Sequence, residues 1–125
     1  MILRLFRRLS LGERGERFAA RQLRRWGFRI LHRNARLGNY EIDIIAREGN
    51  VVAFVEVKTR RSTEVATPEQ NVTYTKRRHL RIAARRYIAR YGEPNTYYRF
   101  DVVSVVMPEH GKPQATLIRD AFPER

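Results

Sequence analysis

Two segments separated by Gly49-Asn50 constrain the fold of this chain more than any other part of its sequence. Residues 41–47 alternate between polar and apolar, as in a strand with one covered face, and residues 51–58 form a β-branched run. Glycine in the first position of a two-residue loop is typical of a type II′ turn. We therefore predict an antiparallel β-hairpin. The apolar face of its first strand would comprise Ile42, Ile44 and Ala46.

The length of the turn decides which residues of the hairpin are neighbours. With Gly49-Asn50 as the turn, counting outward places Asp43 opposite Glu56, on the same face of the sheet. Glu41 then lies opposite Lys58. A three-residue loop would shift the register by one residue and separate the two carboxylates. We expect the two-residue loop.

Adjacent Asp and Glu side chains in such a hairpin indicate a binding site for a divalent cation. Like charges opposite one another destabilise a sheet, and a divalent cation removes that repulsion. Mg²⁺ (or Mn²⁺) binds through one or two carboxylates and keeps positions for water and phosphate. Lys58, on the same face, can hold an attacking water or a phosphate as a point charge. The alternative is that Glu56 and Lys58 line a solvated edge, but residues 51–57 otherwise have the composition of a buried strand.

The excess of positive charge indicates a polyanionic partner. The 125 residues carry 26 Lys and Arg against 13 Asp and Glu, a formal net charge of +13 at pH 7. Nucleic acid is the simplest such partner, with ribosomal RNA or a membrane surface as alternatives. The absence of cysteine excludes a disulfide framework and a thiolate metal site, and is compatible with a reducing cytoplasm. No apolar run approaches about 18 residues, so no transmembrane segment is expected.

The remaining periodicity predicts a single domain over residues 11–120, after a basic arm (1–10) and before a tail (121–125). A first helix would run from Ser10 or Gly12 to Trp26 and a second from Thr73 to Tyr91. Further strands are expected over 28–36, 97–107 and 115–119, and a long irregular loop over 62–71. The apolar stripes of the helices would be Leu11, Phe18, Ala19, Leu23 and Trp26 in the first, and Leu80, Ala83, Ala84, Tyr87, Ile88 and Tyr91 in the second. The order αβββαβ, with one more short strand, predicts an α/β fold with a mixed sheet flanked by helices.

Other charged residues are candidates for the same site or for its substrate. Glu16 has no basic residue three or four positions away on its helix, so it is either a solvated acid near the helix N-terminus or a further acidic contact to the metal or its waters. Lys76 opposes the dipole of the second helix in its first turn, which favours a ligand-facing role, although a solvated charge fits equally. The predicted phosphate contacts are Arg60, Arg61, Lys76, Arg77, Arg78, Arg81 and Arg85.

Asp43, followed by Glu56-Val57-Lys58, resembles the signature of the PD-(D/E)xK nucleases, which share the restriction-endonuclease-like fold. Over residues 11–106 the chain is similar to the YraN family of uncharacterised bacterial proteins. The matching positions are Gly12, Gly15-Glu16, Ala19, Leu23, Gly27, Asn34, Glu41-Ile42-Asp43, Phe54–Arg60, Lys76 and Arg99-Phe100-Asp101. Tyr40 stands where that family usually has glycine, which could narrow the approach to the site.

This resemblance implies a restriction-endonuclease-like αβββαβ core similar in layout to archaeal Holliday-junction resolvases. It assigns the metal to Asp43 and Glu56, with Glu16 as a further acidic residue, and makes Lys58 the catalytic lysine. The Val57 carbonyl would be a further ligand. We therefore expect a cytoplasmic, Mg²⁺-dependent endonuclease acting on DNA, with branched DNA as one candidate substrate and a homodimer as one candidate assembly. The alternative is a non-catalytic nucleic-acid-binding protein of the same fold.

Overall fold

A computed structural model describes residues 8–62 and 72–122 of the chain. Its elements follow the predicted order, with a fifth strand at the end. They are α1 (Leu11–Arg25), β1 (Arg29–Leu37), β2 (Tyr40–Glu48), β3 (Val51–Arg60), α2 (Tyr74–Tyr91), β4 (Tyr97–Val106) and β5 (Gln114–Ile118). The α/β class and the αβββαβ core are confirmed. Most of the loop expected over 62–71, and most of the N-terminal arm, lie outside the described residues.

The five strands form one mixed sheet in the order β1-β2-β3-β4-β5. The pairs β1–β2, β2–β3 and β4–β5 are antiparallel, and β3–β4 is parallel. A parallel neighbour requires a crossover connection, which here includes α2. Because β3 has a neighbour on each side, the residues that carry the predicted chemistry lie in the middle of the sheet.

Each face of the sheet is covered by one helix. The α2 cluster packs Leu80, Ala84 and Tyr87 of the helix against Phe54 and Val102 of the sheet. The α1 cluster packs Ala19 and Leu23 against the other face. These are the predicted stripes, but not in full: Ile88 and Tyr91 are 36% and 47% exposed at the end of α2.

The first helix begins as its sequence indicates and ends one residue early. The Ser10 hydroxyl accepts a hydrogen bond from the Glu13 N–H, and the Glu13 carboxylate accepts one from the Ser10 N–H, which forms a capping box. The inclusion of Trp26 in the apolar stripe was wrong. Trp26 is the C-cap residue and is 37% exposed, because the chain leaves the helix before the indole can reach the sheet.

The close approach of α1 to the sheet depends on Gly15. A Cβ atom built at this position would lie 1.8 Å from Oγ1 and 2.7 Å from Cβ of Thr59, on β3. Only a residue without a side chain can occupy this contact. The contact places the next residue, Glu16, beside the sheet.

The hairpin has the predicted turn and register. Gly49 has φ of 60°, Glu48 faces Val51, and the ladder continues outward to Ile44 opposite Val55. The predicted alternation of β2 is wrong at one position. Ile42 belongs to the α2 cluster and Ile44 to the α1 cluster, although residues two apart on a regular strand share a face. The alternation therefore breaks between them, at Asp43.

The C-terminal residues of the described chain join the core. The buried carboxylate of Asp101 accepts a hydrogen bond of 2.9 Å from the Asp120 N–H, and the Ala121 N–H donates to the Phe100 carbonyl. Phe122 is buried and stacks on Phe100 with ring centroids 5.3 Å apart. The packing therefore continues two residues beyond Asp120. No helix in the described part of the chain is long and apolar enough to cross a membrane.

Candidate active site

The hairpin opens at Asp43. Its Oδ2 atom accepts a hydrogen bond of 2.9 Å from the Val57 N–H. In the register of this hairpin the next rung would pair Ile42 with Val57, so the Asp43 side chain takes the donor that a main-chain carbonyl would otherwise use. This replacement explains why the ladder ends at Ile44 and why the alternation of β2 breaks here. It also fixes the Asp43 carboxylate beside β3.

Glu56 lies next to Asp43, as the predicted register requires, and is buried with 4% of its surface exposed. Two lysines flank it. The Lys58 Nζ atom is 3.7 Å from Oε2, and the Lys76 Nζ atom, in the first turn of α2, is 3.8 Å from Oε1. Lys58 shares a strand face with Glu56 because the two residues are two positions apart. The structure thus brings both predicted lysines to the same carboxylate.

The pKa of Glu56 is raised from 4.5 to about 7. Burial is the largest cause, followed by the negative charge of Asp43, while Lys76 and Lys58 oppose the increase. A hydrogen bond between the two carboxyl groups raises the pKa further. Glu56 therefore ionises near neutral pH instead of near 4.5.

Glu16 reaches this site from the opposite face of the sheet. Its pKa is also raised to about 7, first by burial and then by Asp43, with Glu41 and Glu13 adding to the effect and Arg33 opposing it. The register predicts Glu41 opposite Lys58, but the described ladder between β2 and β3 ends before this pair, at Ile44 and Val55. The Glu41 Oε2 atom lies 3.7 Å from Arg36 Nη1, across the β1–β2 pair, because the hairpin with β3 has already opened.

The residues present fit a cation held by few protein ligands. Within residues 8–62 and 72–122, no three His, Asp or Glu side chains converge closely enough to form a metal site by themselves. Mg²⁺ is, however, usually bound by only one or two carboxylates, and water fills its other coordination positions. Glu56 Oε1 is buried and, among the described residues, has no hydrogen-bond partner. The Val57 N–H points to β2, so the carbonyl of the same residue points there too.

The predicted basic residues differ in what they contact. Arg61 donates to the Met107 carbonyl at 3.1 Å, and Arg77 donates to the Val72 carbonyl at 3.1 Å and lies over the Phe122 ring. These two guanidinium groups therefore also hold the fold together. Arg60 and Arg81 are half-buried. Arg78 and Arg85 are exposed on α2.

Tyr40, the residue expected to narrow the approach to the site, lies at the start of β2, facing α2. Its ring packs against α2, 4.8 Å from the His79 ring, with Arg86 lying over it. Arg86 also donates to the Leu37 carbonyl at 3.0 Å. Tyr40 thus joins β2 to the helix that supplies Lys76.

Two residues of this region were not predicted as site residues. Arg33 and Asn34 line a cavity of about 440 Å³ together with Glu16, Glu41, Glu13, Arg17 and Leu9. Asn34 has φ of 52° within β1, a conformation that non-glycine residues rarely adopt in a strand. An asparagine inside a strand pattern was the signal that could have identified this irregularity.

Comparison with known proteins identifies the chain. Residues 15–105 match the sequence model of the uncharacterised protein family UPF0102. The chain belongs to this family. UPF0102 proteins similar to it include one from Caldicellulosiruptor saccharolyticus, 46% identical over 90% of this chain and 97% of the relative. Another, from Symbiobacterium thermophilum, is 46% identical over 90% and 95%, and one from Rhodococcus opacus is 41% identical over 91% and 97%.

The structure separates two kinds of residue in this UPF0102 chain. Asp101, in the Arg99-Phe100-Asp101 segment, is buried away from solvent and holds Arg99 at 2.8 Å as well as the Asp120 N–H. Arg99 and Arg119 both contact Glu48 near the hairpin turn, at 3.2 and 2.8 Å. This ionic cluster joins β2, β4 and the C-terminal residues, and its groups are satisfied by one another. In the Asp43–Glu56 pair, in contrast, the buried Oε1 atom of Glu56 makes no hydrogen bond among the described residues, and Lys76 approaches it only to 3.8 Å.

Proposed function

We propose that this UPF0102 protein is a Mg²⁺-dependent endonuclease that hydrolyses DNA phosphodiester bonds. The observation that carries the proposal is the juxtaposition of Asp43 with the buried Glu56, with both lysines at the latter carboxylate. Glu56 is buried beside a second carboxylate, its two lysine partners lie at 3.7 and 3.8 Å, and its Oε1 atom makes no hydrogen bond among the described residues. Such an arrangement in the middle of a sheet does not favour folding stability, and binding of a cationic ligand would account for it.

Each residue has a defined part in this proposal. Asp43, Glu56 and the Val57 carbonyl would hold the ion, and Glu16 would contact its waters. A bound Mg²⁺ stabilises charge on the scissile phosphate and lowers the pKa of a coordinated water. Lys58 positions the attacking water and the phosphate by its charge. Hydrolysis forms a bond from the water oxygen to phosphorus and breaks the bond from phosphorus to the leaving oxygen, which takes up a proton.

Lys76 forms an ion pair with Glu56 in the protein without metal or substrate. An ammonium group at 3.8 Å balances part of the negative charge before a cation and a phosphate arrive. The Lys76 side chain is in the first turn of α2 and partly exposed, so it would also be available to a phosphate. We assign Lys76 to phosphate binding with the arginines of α2.

The proposal is tested by incubating purified protein with linear, flapped and four-way DNAs, with and without Mg²⁺ or Mn²⁺. We expect metal-dependent cleavage by the wild type, none by Lys58→Ala, and wild-type cleavage by Glu109→Gln, which alters an exposed carboxylate after β4. Uncleaved DNAs throughout the panel, in the presence of either metal, would contradict it. The branched DNAs in the panel test the substrate preference that similarity to resolvases implies.

A second candidate is a nucleic-acid-binding protein that does not cleave. It is favoured by the net charge of +13 and by the exposed arginines of α2, which would bind phosphates whether or not the acidic site turns over. Metal-independent binding without cleavage in the same panel would select this function. The homodimer and the cytoplasmic location expected from the sequence remain predictions. Sedimentation equilibrium tests the first of them.

A further inference from the structure

A second basic surface lies along α1, on the opposite face of the sheet from α2. A cleft of about 480 Å³ is lined by Arg8, Leu9, Arg14, Arg17, Phe18, Arg21, Met107 and Pro113. Its walls are the outer side of α1 and the connection from β4 to β5. Four of its eight lining residues are arginines. None of them was among the phosphate contacts predicted from the sequence.

The arginines of this cleft have no structural task in the described part of the chain. Arg14, Arg17 and Arg21 are three and four residues apart, so they lie on one side of the helix, and all three are exposed. No side chain of the three forms a hydrogen bond or ion pair with residues 8–62 or 72–122, whereas the side chains of Arg61, Arg77 and Arg86 each bind a main-chain carbonyl. Three neighbouring unpaired cations repel one another, and a polyanion removes that repulsion.

The spacing of the arginines and the aromatic ring between them suit one strand of nucleic acid. At 1.5 Å per residue, Arg14 and Arg21 are roughly 10.5 Å apart along the helix axis. Neighbouring phosphates of one nucleic-acid strand are closer together than this, so Arg14 and Arg21 can contact different phosphates of the same strand. Phe18, half-buried between the arginines, offers an aromatic surface for a base. A basic groove with an aromatic side chain is the combination that single-strand binding proteins use, because an unpaired base can stack on the ring.

The cleft also leads to the acidic site. Leu9 and Arg17 line both this cleft and the cavity that contains Glu16 and Glu41. A strand lying along α1 would therefore pass from Arg21 over Arg17 toward the carboxylates. We propose that the cleft along α1 binds a single-stranded segment of nucleic acid and directs it to the Asp43–Glu56 site. That the strand is directed to the Asp43–Glu56 site rests on the proposed function, but binding of the strand to the cleft does not.

The experiment measures anisotropy of a labelled oligothymidylate and of a blunt duplex of equal length, in EDTA, so that cleavage plays no part. In Arg14→Gln/Arg21→Gln we expect single-strand affinity to fall at least about tenfold, with the log–log salt slope reduced by roughly 1.4 for two phosphate contacts. Duplex affinity should change much less. The matched control is Arg29→Gln/Arg90→Gln, which removes two exposed arginines that lie outside both α1 and the cleft. It should leave both affinities within about twofold.

A second variant separates stacking from charge. Phe18→Leu keeps an apolar side chain against the α1 cluster but removes the aromatic ring. We expect at least a roughly fivefold loss of single-strand affinity with an unchanged salt slope, because stacking carries no charge. Wild-type single-strand binding by Arg14→Gln/Arg21→Gln would overturn the proposal. Equal losses for single strand and duplex would overturn it too, as would an equal loss in Arg29→Gln/Arg90→Gln. A protein that binds single strands through the cleft but cleaves nothing would refute the nuclease proposal alone.

Discussion

Gly15 and Thr59 occupy the same contact between α1 and β3, and the contact leaves no space for a second side chain. Gly15→Ala should therefore destabilise the protein by about 1–3 kcal/mol, since overpacking outweighs the gain in helix propensity. Urea unfolding measures the free energy of unfolding.

Gly12 provides the matched control for that substitution. It lies one helical turn earlier, is exposed, and has only Ser10 Oγ, at 4.0 Å, near a built Cβ. Gly12→Ala should leave stability unchanged or raise it by up to about 1 kcal/mol. Equal effects of the two substitutions would show that α1 does not approach the sheet this closely.

Divalent cations should stabilise the folded protein. A ligand that binds only the folded state adds RT ln(1 + [L]/Kd), or about 2.7 kcal/mol at one hundred times Kd. Scanning calorimetry at about pH 8, where Glu16 and Glu56 are ionised, should show a higher Tm with Mg²⁺ or Mn²⁺. Asp43→Asn should abolish the increase and Glu109→Gln should retain it. A wild-type Tm indifferent to both metals would remove the metal site.

The metal-free protein should become less stable as pH rises from about 5 to 8. In the unfolded chain a glutamate ionises near 4.5, but in the folded protein Glu56 and Glu16 keep their protons until about pH 7. The folded state thus binds more protons within this window, and the free energy of unfolding falls with pH. Glu56 alone should account for on the order of 3 kcal/mol, and the more exposed Glu16 for less.

Glu56→Gln tests this assignment, because the amide imitates the protonated acid. Its unfolding free energy should vary much less with pH than that of the wild type, while Glu109→Gln should keep the wild-type slope. Glu48 contributes in the opposite sense, since hydrogen bonding to Arg119 lowers its pKa, but it does so below 4.5 and outside this window. A wild-type stability that increases from pH 5 to 8 would contradict the burial of Glu56 beside Asp43.

Nucleic-acid binding by α2 should depend on salt and not on sequence. Arg78 and Arg85 are exposed on one side of the helix, where they suit phosphate contacts. Arg78→Gln/Arg85→Gln should weaken duplex binding for all sequences and reduce the log–log salt slope by up to roughly 1.8. Lys58→Ala should leave this slope nearly unchanged. An unaltered slope in the double variant would show that this side of α2 does not touch DNA.

The sequence was sufficient for the hairpin because a two-residue turn and an alternating pattern determine register locally. The same local rules could not show that Ile42 leaves the face of Ile44, because that break depends on the Asp43 carboxylate replacing a rung of the ladder. Nor could they pair Lys76 with Glu56, which are twenty residues apart and meet only through the crossover of α2. Trp26 followed the helical period, but the helix ended before that period could bury it.

The outer edge of β1 affects whether another chain can pair with the sheet. Strand β1 lies at one edge of the described sheet, where an unpaired strand can recruit another chain. Its register shifts between Ile30 and His32, Asn34 turns the backbone out of the extended conformation, and Arg29, Arg33 and Arg36 are exposed. Bulges and like charges are the devices that keep sheet edges from joining. The β1 edge of the sheet therefore disfavours strand-to-strand pairing with a second copy of the chain.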